Sequence, residues 1–395
     1  MTGRGDEPVL RRVVVVGGSI AAVTAAASLR ADGFDGALTL LSDEVHPPYS
    51  RVPLSKAVLG GGAPAASATL PAAGDDVVVR LGAPVRGLQP GRQRVVLADG
   101  EEVPYDGLIV ATGSHARRLA GPGQVGEQVL RTVDDATGLA ARIGRAGSVV
   151  VAGAGFLGME IASTCADLGL RVTVVDREPP LRRLLGEWLA EVVVEAARER
   201  GVRLVHAPGG IELVGRPEVQ GVRWAAGQVT ADVVVSAVGD IPNTGWLADS
   251  GLIVRGGLVV DRGCRAGPRV YAAGDVTVTD LGRGVLRRSP HWTSAVRQAR
   301  TAAAGLLHGV GAIAPRPDPY FWTEQFGLDV KISGEIPPGR APEVLAGDRA
   351  QRSVLLQWRD RGRPVAAATV NHRLPVVRLK ALGAHASTVP AAPSR

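Results

Sequence analysis

A strand that runs into a glycine turn and then a helix occurs twice in this chain, and that repeat narrows the fold more than any other feature. Residues 13–16 are four valines, followed by GGSIAA from Gly17 to Ala22, a helix of small and apolar residues to about Arg30, and a second strand, LTLLSDE. From Val149 the plan returns as VVVAGAGFLGMEIASTCADLGLRVTVVDRE. Each copy reads as a βαβ unit whose turn offers free N–H groups and the positive end of a helix dipole to a phosphate. Two of them predict an α/β chain with two Rossmann-like dinucleotide-binding domains.

Each glycine of the later turn has its own reason. Gly153 permits the tight bend, Gly155 lets the backbone approach a pyrophosphate, and Gly158 lets helix and strand pack closely. An acid closes the second strand of each unit, Asp176 in the later and Asp43 in the earlier, where a carboxylate accepts hydrogen bonds from ribose hydroxyls. At Asp176 the same charge repels a 2′-phosphate and so favours NADH over NADPH, although Arg177, Arg182 and Arg183 follow closely enough to receive that phosphate. The first copy departs from the pattern. Ser19 and Ala22 stand where the second and third glycines are expected, and the Ser19 hydroxyl either donates to the pyrophosphate or obstructs it.

Length and composition set the outer bounds. A chain of 395 residues predicts two or three domains. Its two cysteines, Cys165 and Cys264, are too far apart in sequence to form a CxxC pair, so electrons must be handled by something other than a protein dithiol. The net charge of +7 is spread without a long basic run, which argues against nucleic acid and suits the steering of an acidic protein partner. The opening MTGRGDEPVLRR has no apolar core of an export signal and no apolar stretch spans a membrane, so the expectation is a soluble, cytoplasmic protein. His46, His115, His206, His308, His372 and His385 show no metal-ligand spacing and are expected on the surface or in loops; no metal site is expected.

Further motifs follow in a fixed order: PPYSRVPLSK at 47–56, ATG at 111–113, LRT ending in Thr132, GAGFLGMEIA from Gly153, IPN at 241–243, YAAGD at 271–275, HWTSAVRQA from His291 and PYFWTEQFG from Pro319. Together they resemble the FAD-dependent ferredoxin reductases of the putidaredoxin reductase, rubredoxin reductase and dioxygenase reductase type, with apoptosis-inducing factor a more distant relative. The resemblance covers nearly the whole chain. It implies a glutathione-reductase-like architecture: an FAD domain from 1–118 and 246–312, an NAD(P) domain at 119–245, a small α+β C-terminal domain at 317–385 and a disordered tail at 386–395. The Gly- and Pro-rich stretch 309–319 reads as a domain boundary, and residues 60–76 as a shortened or mobile loop.

The resemblance also implies roles. Gly17, Ser19, Ile20 and Ala21 would line the FAD pyrophosphate, Asp43 the adenine ribose, and Val85 the adenine through its backbone. Ala111, Thr112 and Gly113 belong to the same site. Arg131, Gly274 and Asp275 would hold the pyrophosphate and ribityl region, while Arg51, Lys56, His291, Trp292 and Trp322 would lie along the phosphates and isoalloxazine. Trp292 and Trp322 also read as plain core aromatics. Gly153, Gly155, Phe156, Leu157, Gly158, Glu160, Asp176, Arg177 and Gly239 would contact NAD. By the same resemblance Lys56 and Glu160 would form the catalytic pair beside flavin N5, the carboxylate neutralising the ammonium and orienting the nicotinamide carboxamide.

The activity so implied is hydride transfer from NADH, with NADPH second, to FAD, then single electrons to an acidic two-iron two-sulfur ferredoxin or a rubredoxin, by a monomer or homodimer. The competing readings are a flavin NADH oxidase or small-molecule reductase, and an NADH-sensing flavoprotein resembling apoptosis-inducing factor. Val52, Pro290, Ser294 and Arg297 depart from the family's usual residues near the flavin or partner face.

Overall fold

The computed structural model describes residues 10–309 and 319–383. Most of the expected boundary at 309–319 and the whole expected tail at 386–395 lie outside these, as does His385. The described residues fall into two compact units, one within Met1–Ser50, Ala68–His115 and Ile241–Pro315, the other within Arg51–Ser67, Ala116–Asp240 and Arg316–Arg395. These units cut the chain differently from the expected domains: 51–67 and the C-terminal sheet both group with the second unit.

The first unit is built on a six-stranded sheet in the order Arg265–Gly267, Val270–Ala272, Gly107–Val110, Arg12–Val16, Ala37–Leu41, Val78–Arg80, all parallel except the first pair. The valine run explains its centre. A parallel strand is covered on both faces, and alternate side chains serve each: Val13 and Val15 pack in one core cluster, Val14 and Val16 in another. The first cluster holds Ala21, Ala22, Ala25 and Ala26 of the helix Ile20–Ala31 with Ala299, Ala302 and Ala303 of the helix Trp292–His308. Small side chains let these two helices approach closely. Within residues 60–76 the chain makes a short 3-10 turn, Ala65–Ala68.

In the second unit a four-stranded parallel sheet runs in the order Arg203–His206, Arg171–Asp176, Ser148–Ala152, Val233–Ser236. The helix Phe156–Asp167 follows its central strand. A five-stranded antiparallel sheet completes the unit, in the order Tyr320–Gln325, Leu328–Gly334, Arg363–Val370, Ser353–Asp360, Glu343–Asp348, with the helix Val376–Leu382 after it. The two parallel cores, the first with one antiparallel edge strand, and this antiparallel sheet match the α/β fold with an α+β C-terminal domain expected from the sequence.

Candidate active site

In the first unit the turn is as tight as the glycines suggest. Gly17 has φ +135 and donates to Leu41 O at 2.7 Å, and a Cβ there would lie 2.2 Å from Ala111 O. Ser19 caps the helix in an extended conformation, yet its side chain makes no capping bond. It donates instead to Tyr49 O at 2.9 Å. The hydroxyl left open by the sequence is thus committed inside the protein, tying the turn to the PPYSR segment. The first amides of the helix still lack intrahelical partners, as at any helix start.

Two further motifs close on themselves in this unit. Thr112 Oγ1 donates to Asn243 O at 2.9 Å, and Asn243 Nδ2 returns a bond to Thr112 O at 2.9 Å. The ATG and IPN motifs therefore clasp one another, a role for Asn243 that sequence reasoning missed. Gly274, at φ +84, donates to Gln298 Oε1 at 2.9 Å; Gln298 donates to Thr277 Oγ1 at 3.0 Å, and Thr277 to Gly274 O at 2.8 Å. That ring fixes the turn carrying Asp275, whose carbonyl accepts from Arg288 at 2.9 Å. His291 caps the helix Trp292–His308; burial pulls its imidazole below the ordinary value, opposed by the negative charge of Asp275. One turn in, the Ser294 hydroxyl is buried without a hydrogen-bond partner. Trp292 is 38% exposed, too open for a core aromatic.

The acids at the two strand ends do not correspond. Gly17 N donates to Leu41 O and Gly153 N to Val175 O, so Ser42 is the counterpart of Asp176 and Asp43 stands one residue further along, exposed. Val85 starts a strand of a small antiparallel sheet and is half-buried.

In the second unit the backbone demands glycine at two of the three positions. Gly153 has φ +110, and a Cβ on it would meet Ala237 O at 2.3 Å. Gly155 caps the helix with nothing within 4 Å of where its Cβ would be, so the space over the helix start is open. At Gly158 a Cβ would fall 2.0 Å from Gly153 O. Asp176 ends its strand and holds the turn: Oδ2 accepts from Ala154 N at 2.5 Å and Oδ1 from Glu178 N at 3.0 Å. Arg182 and Arg183 pair with Glu187 and Glu178 on the surface. Gly239, at φ +99, also faces open space. An open glycine-capped helix start with a strand-end acid fits a dinucleotide, and the orphaned Ser294 hydroxyl beside the Asp275 turn fits a polar ligand in the first unit.

Lys56 and Glu160 meet in the second unit. Lys56 sits in the turn Leu54–Val58 with non-helical backbone, φ −116 and ψ −105. Its Nζ lies 2.9 Å from Glu160 Oε2. The same oxygen accepts from Ser55 Oγ at 2.6 Å, and Oε1 accepts from Thr323 Oγ1 at 2.8 Å. Glu160 is only 8% exposed, and its ion pair and hydrogen bonds offset the cost of burying it. Ser55, Thr323 and Gln325 were not singled out from sequence. Arg51, Arg131 and Trp322 are half-buried in this unit, and the Arg131 amide donates to Asp135 Oδ2 at 2.9 Å beside a helix cap.

Cys165 and Cys264 are each buried, and burial pushes each thiol up to about 12. Neither is a thiolate nucleophile at neutral pH. Among the described residues no group of side chains could hold a metal, and no helix is long and apolar enough to cross a membrane. Of the six histidines expected on the surface or in loops, His206 ends a strand and His308 a helix, both exposed.

These features define an FAD- and nicotinamide-dependent oxidoreductase, and comparison with known proteins gives the same class. Residues 11–299 match the pyridine nucleotide-disulphide oxidoreductase family and residues 320–394 a reductase C-terminal family. The chain belongs to the ferredoxin reductases of that family, whose members bind FAD and use NAD(P)H. It is 37% identical over 383 residues to the ferredoxin–NAD+ reductase component of the anthranilate 1,2-dioxygenase system of Burkholderia cepacia, covering 91% of this chain and 90% of that one. The ferredoxin reductase for the CYP199A2 system of Rhodopseudomonas palustris is similar in structure, with TM-score 0.84 at 29% identity over 92% of this chain and 91% of that one. Putidaredoxin reductase in its covalent complex with putidaredoxin follows at TM-score 0.81 and 28% identity, covering 91% and 90%.

Proposed function

We propose that this chain takes a hydride from NADH, and less readily NADPH, and passes single electrons to an acidic two-iron two-sulfur ferredoxin or a rubredoxin in the cytoplasm, as a monomer or homodimer. Bound FAD supplies the conversion of a two-electron donor into one-electron steps. The observation that carries the reading is the buried Lys56–Glu160 pair in the same unit as the open, glycine-capped helix start. An ammonium held there favours negative charge developing on a reduced ring, and the carboxylate orients a carboxamide.

The residues divide accordingly. In the first unit, Gly17 to Ala21, Ala111 to Gly113, Gly274 and Asp275 would hold FAD phosphates and ribityl hydroxyls, with Asp43 and Val85 at the adenosine and His291 and Trp292 toward the ring. In the second, Arg51, Lys56, Arg131 and Trp322 would serve FAD, and Gly153 to Gly158, Glu160, Asp176, Arg177 and Gly239 the nicotinamide dinucleotide. The first unit is then the FAD domain, while the parallel and antiparallel sheets of the second are the NAD domain and the C-terminal domain.

The ferredoxin assignment draws on the partners named for the three reductases above and on the net charge of +7, which suits an acidic partner. The buried, protonated cysteines weigh against disulfide reduction. Anaerobic titration tests the hydride step: the purified yellow protein should bleach at lower concentration with NADH than with NADPH. Protein that stays colourless after incubation with excess FAD would contradict the reading.

A further inference from the structure

We propose that Thr323, oriented by Gln325, is the positioning residue that aims the Glu160 carboxylate at its amide-bearing ligand; this rests on the reading of the Lys56–Glu160 pair given above. Thr323 and Gln325 alternate along the strand Tyr320–Gln325 and are 0% and 3% exposed, whereas Glu324 between them is open to solvent. They therefore share one face, turned inward. Two polar side chains in succession on a buried strand face call for a reason, because each costs free energy unless bonded.

The hydrogen bonds supply it. A threonine hydroxyl has one proton to give and lone pairs to receive. Gln325 Nε2 donates to Thr323 Oγ1 at 3.0 Å, which leaves the Thr323 proton directed at Glu160 Oε1, 2.8 Å away. On the other oxygen, Ser55 and Lys56 donate at 2.6 and 2.9 Å. Both carboxylate oxygens are thus held from opposite sides, and the plane of the group is fixed. The strand also grips the helix on either side of Glu160. The Phe156 and Phe321 rings lie 4.1 Å apart, and the Phe326 amide donates to Ser163 Oγ at 2.6 Å.

A carboxylate oxygen accepts about two hydrogen bonds, and Thr323 takes one on Oε1. Glu160 then presents a single remaining direction to a primary amide such as that of nicotinamide, and Thr323 sets it. With valine in its place the shape is kept but the carboxylate is free to turn toward Lys56. The C-terminal sheet, by this account, takes part in seating the dinucleotide.

The test uses the FAD-loaded full chain with Thr323→Val, Thr323→Ser and Lys56→Met, alone and with Thr323→Val added to Lys56→Met. Two quantities are read: the NAD+ dissociation constant by calorimetry on oxidised protein, and flavin reduction at saturating NADH by anaerobic stopped flow. Thr323→Val should weaken NAD+ and slow reduction about tenfold each, Thr323→Ser should keep both within about twofold, and Thr323→Val should slow reduction no further once Lys56 is methionine. Valine and serine behaving alike, or an equal slowing in the Lys56→Met background, would overturn the proposal as a purely structural effect. Reduction at the wild-type rate in Lys56→Met alone would remove the role of the pair itself, and the proposal with it. Should Thr323→Val fail to retain FAD, Gln325→Met gives the same comparison: NAD+ weakened about threefold supports the proposal, and unchanged binding overturns it.

Discussion

The two glycine turns solve the same steric problem with different residues. In the second unit two glycines are required, by a positive φ at Gly153 and by a 2.0 Å approach to Gly153 O at Gly158, while Gly155 leaves open space over the helix start. The first unit keeps only Gly17 in the corresponding place, with Ser19 donating to Tyr49 O and Ala22 fully buried against the strand. One turn keeps its approach bare. The other is laced to its own chain, with a hydroxyl holding the PPYSR segment where the second unit leaves room. A tightly held prosthetic group suits the laced turn, and a dinucleotide that must come and go suits the bare one.

The comparison can be broken most severely at Gly158. Gly158→Val would force helix and strand apart and should abolish measurable NADH binding while leaving the protein yellow; calorimetry together with the flavin spectrum reads both. The matching Ala22→Gly change should leave both sites intact. Next in size is Lys56→Ala, expected to slow flavin reduction at saturating NADH on the order of a hundredfold with a far smaller change in NADH binding. Asp176→Asn removes charge from a group that holds the bare turn through Ala154 and Glu178. It should raise the KM for NADH about tenfold and narrow the preference over NADPH, measured as the ratio of kcat/KM values.

Ser19→Ala sharpens the contrast from the other side. Leaving Tyr49 O one bond short should cost about 1 kcal/mol of stability and speed the loss of FAD in dilution, with NADH binding unchanged.

The smallest effect concerns His291. Its pKa is held below the ordinary 6.5 by burial, so the unfolded chain takes up a proton first as pH falls. The stability it contributes is complete above 6.5 and is lost as pH drops through the lowered value. Thermal midpoints of wild type should fall more steeply over that window than those of His291→Gln.

How much of this was legible in the sequence also follows the comparison. The turns, the valine run, Asp176 and the Lys56–Glu160 pair lie within short periodic stretches or matched motifs, so their residue types announce them. Asp43 reads as the twin of Asp176 only until register is known, because the strand ALTLL is nearly all apolar and carries no alternation to fix which residue follows its end. Ser55, Thr323 and Asn243 also lie in matched motifs, but their residue types did not announce their roles. Their partners lie 105, 163 and 131 residues away, and nothing local distinguishes a serine that will meet a buried carboxylate from one that faces water. YFWTEQ offers no alternation to separate its faces, since Thr323, Glu324 and Gln325 are all polar and only the structure shows that the first and last are buried.

The central claim, single electrons handed to an iron–sulfur partner, is tested most directly by following cytochrome c reduction with saturating NADH while a two-iron two-sulfur ferredoxin is titrated in. The rate should be near zero without the ferredoxin, rise and saturate with it, and fall as salt is added. Oxygen consumption or cytochrome c reduction that proceeds equally fast with no ferredoxin present would contradict the account.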